Sequence, residues 1–180
     1  VARATALLPA MLGADGPRTY LLLFQNNAEW RSLGGITGAV AAIGTDDGAL
    51  SLQAQASSSD FPRYDDAVLP LDEEVLGIYG TRPGRYIQNV TQVPDFALSG
   101  ALVQEMWERE TGETVDGVIA VDPVALSYLL EATGPVTLPT GDELTADNAV
   151  DLLLNEVYFR YEVPAEQDAF LAAAAAAVFE

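Results

Sequence analysis

The chain has no cysteine, no histidine and no lysine among its 180 residues, and each absence closes a class of chemistry. Without cysteine there is neither a disulfide framework nor a thiolate metal site. Without histidine the commonest general base and metal ligand is missing, so acid–base work falls to Asp, Glu or Tyr. The usual hydrolase triads are excluded with them, and no Ser-centred nucleophile elbow occurs. Neither a lysine-bearing phosphate loop nor a Gly-x-Gly-x-x-Gly turn is found. Phosphoryl transfer stays open, because it needs mainly positioning and charge compensation. The missing lysine, beside abundant alanine, reads as compositional bias rather than a functional signal.

Positive charge is scarce. The eight bases are Arg3, Arg18, Arg31, Arg63, Arg82, Arg85, Arg109 and Arg160, set against 27 acids for a net charge of −19. Such a surface repels nucleic acid and anionic membrane faces, so no nucleic-acid partner is expected. No apolar run approaches the about 18 residues that span a bilayer. The longest, Leu171 to Phe179, is mostly alanine. No signal peptide opens the chain. It starts at Val1 rather than Met, as a processed or excised piece would.

What is present is enough for one globular domain over residues 1–180, since 49% of the chain is hydrophobic. Val1 to Leu12 has helical spacing, stopped by Gly13. Tyr20 to Gln25 reads as a buried strand and Ile36 to Ile43 as a second. Asp46-Asp47-Gly48 makes a hairpin turn into a third, Ala49 to Ala56. A short helix is expected over Leu71 to Tyr79, and a longer one from an Asp95 cap to Arg109, closed by Gly112. Leu98, Leu102 and Met106 share its inner face.

Val115 to Val121 is a compact strand. Asp122-Pro123 then starts a helix whose Leu126, Leu129 and Leu130 face inward. Val136 to Leu138 reads as a short edge strand. Thr145 caps a helix with Val150, Leu153, Leu154 and Val157 as its buried stripe, and Pro164 breaks it. Glu166 to Phe179 is an alanine-rich final helix. The order gives an α/β layered domain with a mixed sheet. Polar loops at 25–35, 57–70 and 81–94 are the places for function.

The most informative stretch is Tyr20 to Gly35, YLLLFQNNAEWRSLGG. A buried strand emptying into polar residues is where α/β proteins place ligand chemistry. Candidate binding residues here are Gln25, Asn26, Asn27, Glu29 and Arg31. Arg63 and Asp60 in the second loop, Asn89 in the third, and Arg160 near a helix end join them. Guanidinium forks suit phosphate or carboxylate, and several converging would make a cationic pocket on an anionic protein. The alternative is that each arginine pairs with a neighbouring acid. Two of the loop acids Glu29, Asp60, Asp65, Asp66 and Asp95 would suffice for Mg²⁺ through oxygen ligands, against plain capping and turn roles. The triplet Asn89-Val90-Thr91 also matches a glycosylation acceptor.

Three segments, YLLLFQNNAEWRSLGG at 20–35, residues 94–134, especially VDGVIAVDPVALSYLLEATGP at 115–135, and LTADNAVDLLLNEVY at 144–158, resemble the domain-of-unknown-function family 4012, found in bacterial envelope proteins including many from actinobacteria. With QDAF at 167–170 the resemblance spans nearly the whole chain. It implies an extracytoplasmic domain behind a membrane anchor outside this chain. That family is distantly similar to the LytR–CpsA–Psr phosphotransferases, which move glycopolymers from a polyprenyl diphosphate carrier to the cell wall. The similarity implies a LytR–CpsA–Psr-like α/β/α fold around a central mixed sheet, with Arg31, Arg63 and Arg160 at phosphate-binding positions. Leu33, Glu162 and the Gln167–Asp168 pair depart from that pattern, each removing a metal ligand or diphosphate contact. Two expectations follow. One is an envelope domain binding a lipid-linked glycan or cell-wall polymer through an anionic phosphate, with Mg²⁺ as an optional cofactor and transferase activity left open. The other is a non-catalytic scaffold or interaction domain of the envelope.

Overall fold

A computed structural model describes residues 2–178, and the side chains of residues 5–178. The expected helix starts and ends at Val1 and Phe179 fall outside the described residues. Helix α1 (Ala2–Met11) leads into strands β1 (Arg18–Arg31), β2 (Gly34–Asp46) and β3 (Ala49–Ser57). Helices α2 (Glu73–Tyr79) and α3 (Phe96–Thr111) follow, then β4 (Gly117–Val121) and α4 (Pro123–Thr133). A small hairpin, β5 (Val136–Thr137) and β6 (Glu143–Leu144), precedes α5 (Ala149–Asp151), a π-helical stretch (Leu152–Glu156), α6 (Val157–Arg160) and α7 (Pro164–Val178).

The sheet order is β3-β2-β1-β4, antiparallel except for the parallel pair β1–β4. Strand β1 is central, so Leu21 and Leu23 are fully buried on one face and Leu22 on the other. The β2–β3 turn has Asp47 at φ 46° and Gly48 at φ 84°, the left-handed pair that matches strand twist. The parallel β4 is clamped to β1 at its start. Asp116 accepts from the Thr19 backbone N–H at 2.8 Å and pairs with Arg18 at 3.0 Å. Those two contacts hold the Asp116 carboxyl below its ordinary range, the backbone bond more than the ion pair.

Two helical layers cover the sheet. On one face Leu21, Leu23, Val40 and Ala42 pack against Leu102, Val103, Met106 and Trp107 of α3 and against Ile87 and Val90 of a 3₁₀ segment. Asp95 caps α3 through the Ala97 and Leu98 amides, and Gly112 closes it at φ 75°. On the other face Leu22, Ala41 and Ile43 form a thin apolar skin. The second helical layer, α4 to α7, keeps its own core around Leu130, Leu144, Leu152, Val157 and Phe170. The result is the layered α/β/α arrangement around a mixed sheet.

Several local expectations change. The stretch 25–31 is not loop: β1 continues to Arg31, because Gly34 and Gly35 let β2 return directly beside it. The irregularity is a bulge. Residues 27–29 lack partners between the pairs Asn26–Ile36 and Trp30–Gly35. Val136–Thr137 pairs only with β6, in a hairpin separate from the main sheet. Thr145 does not start the helix alone; it exchanges hydrogen bonds with Asn148, and α5 begins at Ala149. The π-helical widening brings Leu152 into the core beside Leu153 and Val157 while Val150 and Leu154 are only half-buried. Leu129 is half exposed rather than buried.

Candidate functional site

Between the second sheet face and the α4–α7 layer lies a cavity of about 990 Å³. That is the upper end of the size range for small-molecule sites. Its floor is sheet: Leu22, Phe24, Ala39, Ile119 and Val121. Leu126 and Leu129 of α4, Leu153 and Leu154, and the α7 residues Leu171, Ala172, Ala175 and Val178 form the rest. The reason for the void is legible in α7. Five of the eight α7 residues that line the cavity are alanine, and methyl groups cannot fill the space that leucines would fill. The cavity opens where Ile119, Leu129 and Tyr158 remain partly exposed.

One end of the wall is polar. Gln25, Asn26, Glu29, Ser57, Ser58, Ser59, Asp60, Asp122, Tyr158 and Asp168 lie there, and among the described residues no basic one lines the cavity. Asn26 donates to the Tyr158 hydroxyl at 3.1 Å and accepts from the Ala28 N–H at 2.9 Å. Burial pushes the Tyr158 phenol above its ordinary value; the Asn26 bond opposes this and the Glu29 and Asp168 carboxylates add to it. Asp122 caps α4 through the Ala125 amide at 2.7 Å and accepts from Asn27 at 3.3 Å. Asp60 accepts from the Ser57 N–H at 2.8 Å, and the Ser57 hydroxyl donates to Asp168 at 3.0 Å. Most of these acids are thus engaged in fold contacts. Among the described residues no group of three or more acids stands where it could hold a metal ion.

Two buried polar groups at this wall lack partners. Gln25 is 6% exposed and Thr37 0%, and the two face each other across β1 and β2. The Gln25 Nε2 and the Thr37 Oγ1 bond to nothing among the described residues. Groups left so are costly, and they are shared here with Asn27 Oδ1, Arg31 Nε and Trp107 Nε1, which also lack partners among the described residues.

Of the sequence candidates, Gln25, Asn26, Glu29 and Asp60 line the cavity, and Asn27 reaches its rim through Asp122. Asn89 does not line it; its backbone N–H bonds the Tyr86 carbonyl within a 3₁₀ turn. The three arginines do not converge. Arg160 is clasped by Asp142 at 2.7 Å and Glu156 at 3.0 Å. Arg63 lies over the Tyr86 ring, 5.6 Å from its centre. Arg31 sits with Trp30, Ser32, Tyr79 and Gln92 in a separate, smaller pocket and makes no ion pair with Glu29. The expected cationic pocket is therefore replaced by an apolar one with an acidic rim. Strand β1 explains the split: once it continues past Gln25, Arg31 is carried to the hairpin tip, beyond the cavity. Sequence reasoning missed Tyr158, Asp122, Asp168 and the alanines of α7. Only the alanine run carried a signal, an apolar helix with nothing large to bury.

No curated protein matches the sequence. Among solved structures, the transcriptional regulator yvhJ from Bacillus subtilis aligns with 13% identity over 87% of this chain, at a TM-score of 0.44. This chain spans 61% of that protein's crystallised length. Residues 15–158 match the family described as Protein of unknown function (DUF4012). The match covers most of the chain, which therefore belongs to the DUF4012 family.

Proposed function

We propose that this chain is a lipid-binding domain of the bacterial cell envelope, taking the apolar chain of a lipid-linked glycan in the cavity between the sheet and α4–α7. One observation carries the reading: a cavity of about 990 Å³ that is apolar over most of its wall, open on one side and polar at one end. Burying apolar chain there gains about 25 cal/mol per Å² of area removed from water. The Asn26, Tyr158 and Ser57–Ser59 groups offer hydrogen bonds to the polar end of such a ligand.

The placement outside the cytoplasm rests on the family resemblance alone. A phosphate on the ligand meets Glu29, Asp122 and Asp168 rather than arginine, so it needs a cation such as Mg²⁺ to accompany it. Arg160 is already committed to two carboxylates. Binding without transfer is accordingly favoured over phosphotransferase activity.

Native mass spectrometry with undecaprenyl phosphate, with and without Mg²⁺, tests this. The expected result is a one-to-one adduct that Mg²⁺ strengthens and that Ala175→Trp, which occupies the cavity, abolishes. No adduct under either condition, or an adduct indifferent to Ala175→Trp, overturns it.

A further inference from the structure

The second pocket, of about 370 Å³, lies at the tip of the β1–β2 hairpin and is lined by Trp30, Arg31, Ser32, Tyr79 and Gln92. Trp30 is 85% exposed, the most exposed large apolar side chain among the described residues. A single exposed aromatic needs no explanation by itself. Here it stands beside a second ring, two neutral hydrogen-bonding groups and an unpaired cation.

Arg31 is the informative member. Its Nη1 donates to the Trp30 carbonyl at 2.9 Å. Its Nε is buried without an acceptor, and Nη2 makes no hydrogen bond among the described residues. That leaves the terminal end of the guanidinium, Nη2 and the second Nη1 hydrogen, to receive a carboxylate. Arg18, Arg109 and Arg160 each pair with a carboxylate on this acid-rich chain; Arg31, like Arg63, Arg82 and Arg85, pairs with none among the described residues. The tip is also held in place. The Leu33 N–H donates to the Thr91 carbonyl at 3.2 Å, and the Thr91 hydroxyl donates to the Gly35 carbonyl at 2.7 Å.

We infer that this pocket is a saccharide subsite for a sugar ring bearing one carboxylate. The C–H face of such a ring is apolar and suits the Trp30 indole. Its hydroxyls suit Ser32, Gln92 and Tyr79, and its carboxylate suits the free end of Arg31. A phosphate is disfavoured, because one guanidinium faces a net charge of −19 and cannot offset a dianion. The inference extends the reading of the cavity without requiring it. Glu29 at the cavity wall is two residues from Arg31 along β1, about 7 Å of strand. A ligand with its tail in the cavity therefore brings its sugars past this pocket.

Tryptophan fluorescence tests it with soluble probes and no lipid. Tetragalacturonate is expected to give a saturable blue shift, absent in Trp30→Phe, since Trp107 is buried in the core. Arg31→Gln is expected to weaken binding about tenfold with an unchanged thermal melt, and maltotetraose to bind about tenfold more weakly than tetragalacturonate. No saturable shift, a shift that survives in Trp30→Phe, equal binding by Arg31→Gln, equal binding of maltotetraose, or the same shift with acetate alone overturns the inference. Arg31→Gln should leave the undecaprenyl phosphate adduct intact, so failure of one reading is distinguishable from failure of the other.

Discussion

Substituting Gly35 by alanine probes the hairpin on which both pockets depend. Gly35 is buried, and a Cβ there would collide with the Asn26 carbonyl carbon and oxygen and stand 2.7 Å from the Asn27 nitrogen. All of these are backbone atoms, so no side chain can swing aside. Relief requires β1 and β2 to part at the bulge. Overpacking of this kind costs about 1–3 kcal/mol. The movement also strains the Thr91–Gly35 hydrogen bond, worth about 0.5–1.5 kcal/mol. Together they come to about 3 kcal/mol, a large part of the roughly 5–15 kcal/mol that holds a domain folded. For a chain of this length that is a fall in Tm of roughly 6–12 °C. Urea unfolding followed by circular dichroism measures it. Gly38→Ala is the control in the same strand, because a Cβ there meets only the Phe24 carbonyl oxygen at 4.0 Å. It should stay within about 0.5 kcal/mol of wild type. If Gly35→Ala is equally silent, the close approach of β1 to β2 at Asn26 is wrong, and with it the placement of Arg31 outside the cavity.

Thr37→Val removes a buried hydroxyl without a partner and keeps the shape, so it should stabilise the fold by about 1 kcal/mol in the same unfolding assay. Asp122→Ala removes the cap of α4 and should cost about 1 kcal/mol. The Arg160 guanidinium and the Thr140 hydroxyl hold the Asp142 carboxyl below its ordinary 3.8, so their contribution is present above that pH and fades as pH falls through the lowered value. The stability gap between wild type and Arg160→Gln, followed by thermal melts across pH, should therefore close in acid.

Much of the fold is legible in the sequence, because its signals are local. Asp95 and Gly112 bound α3, Asp122-Pro123 opens α4, and Asp47-Gly48 turns β2 into β3. The end of β1 is not legible. Hydrophobic patterning stops at Phe24, while the strand goes on to Arg31 because of what lies opposite: two glycines that admit a close backbone. That one difference moves Arg31 from the cavity to the hairpin tip. The cavity itself depends on packing between segments distant in sequence. Alanines 172 and 175 of α7 predict helix by propensity, and only the packing of α7 beside the sheet turns them into the wall of a void. The acidic rim is likewise assembled from β1, a 3₁₀ turn, α4 and α7, with no contiguous motif to mark it.

The proposed function requires that the space between the sheet and α4–α7 receive an apolar chain. Methyl-resolved NMR during a titration with farnesyl phosphate in the presence of Mg²⁺ tests it most directly. Shifts are expected to be confined to methyls of the cavity wall, among them Leu126, Leu129, Leu154 and Leu171, with Leu21, Leu23 and Leu102 on the opposite face unmoved. Unperturbed cavity methyls at saturating ligand, or shifts spread equally over both faces, would contradict it.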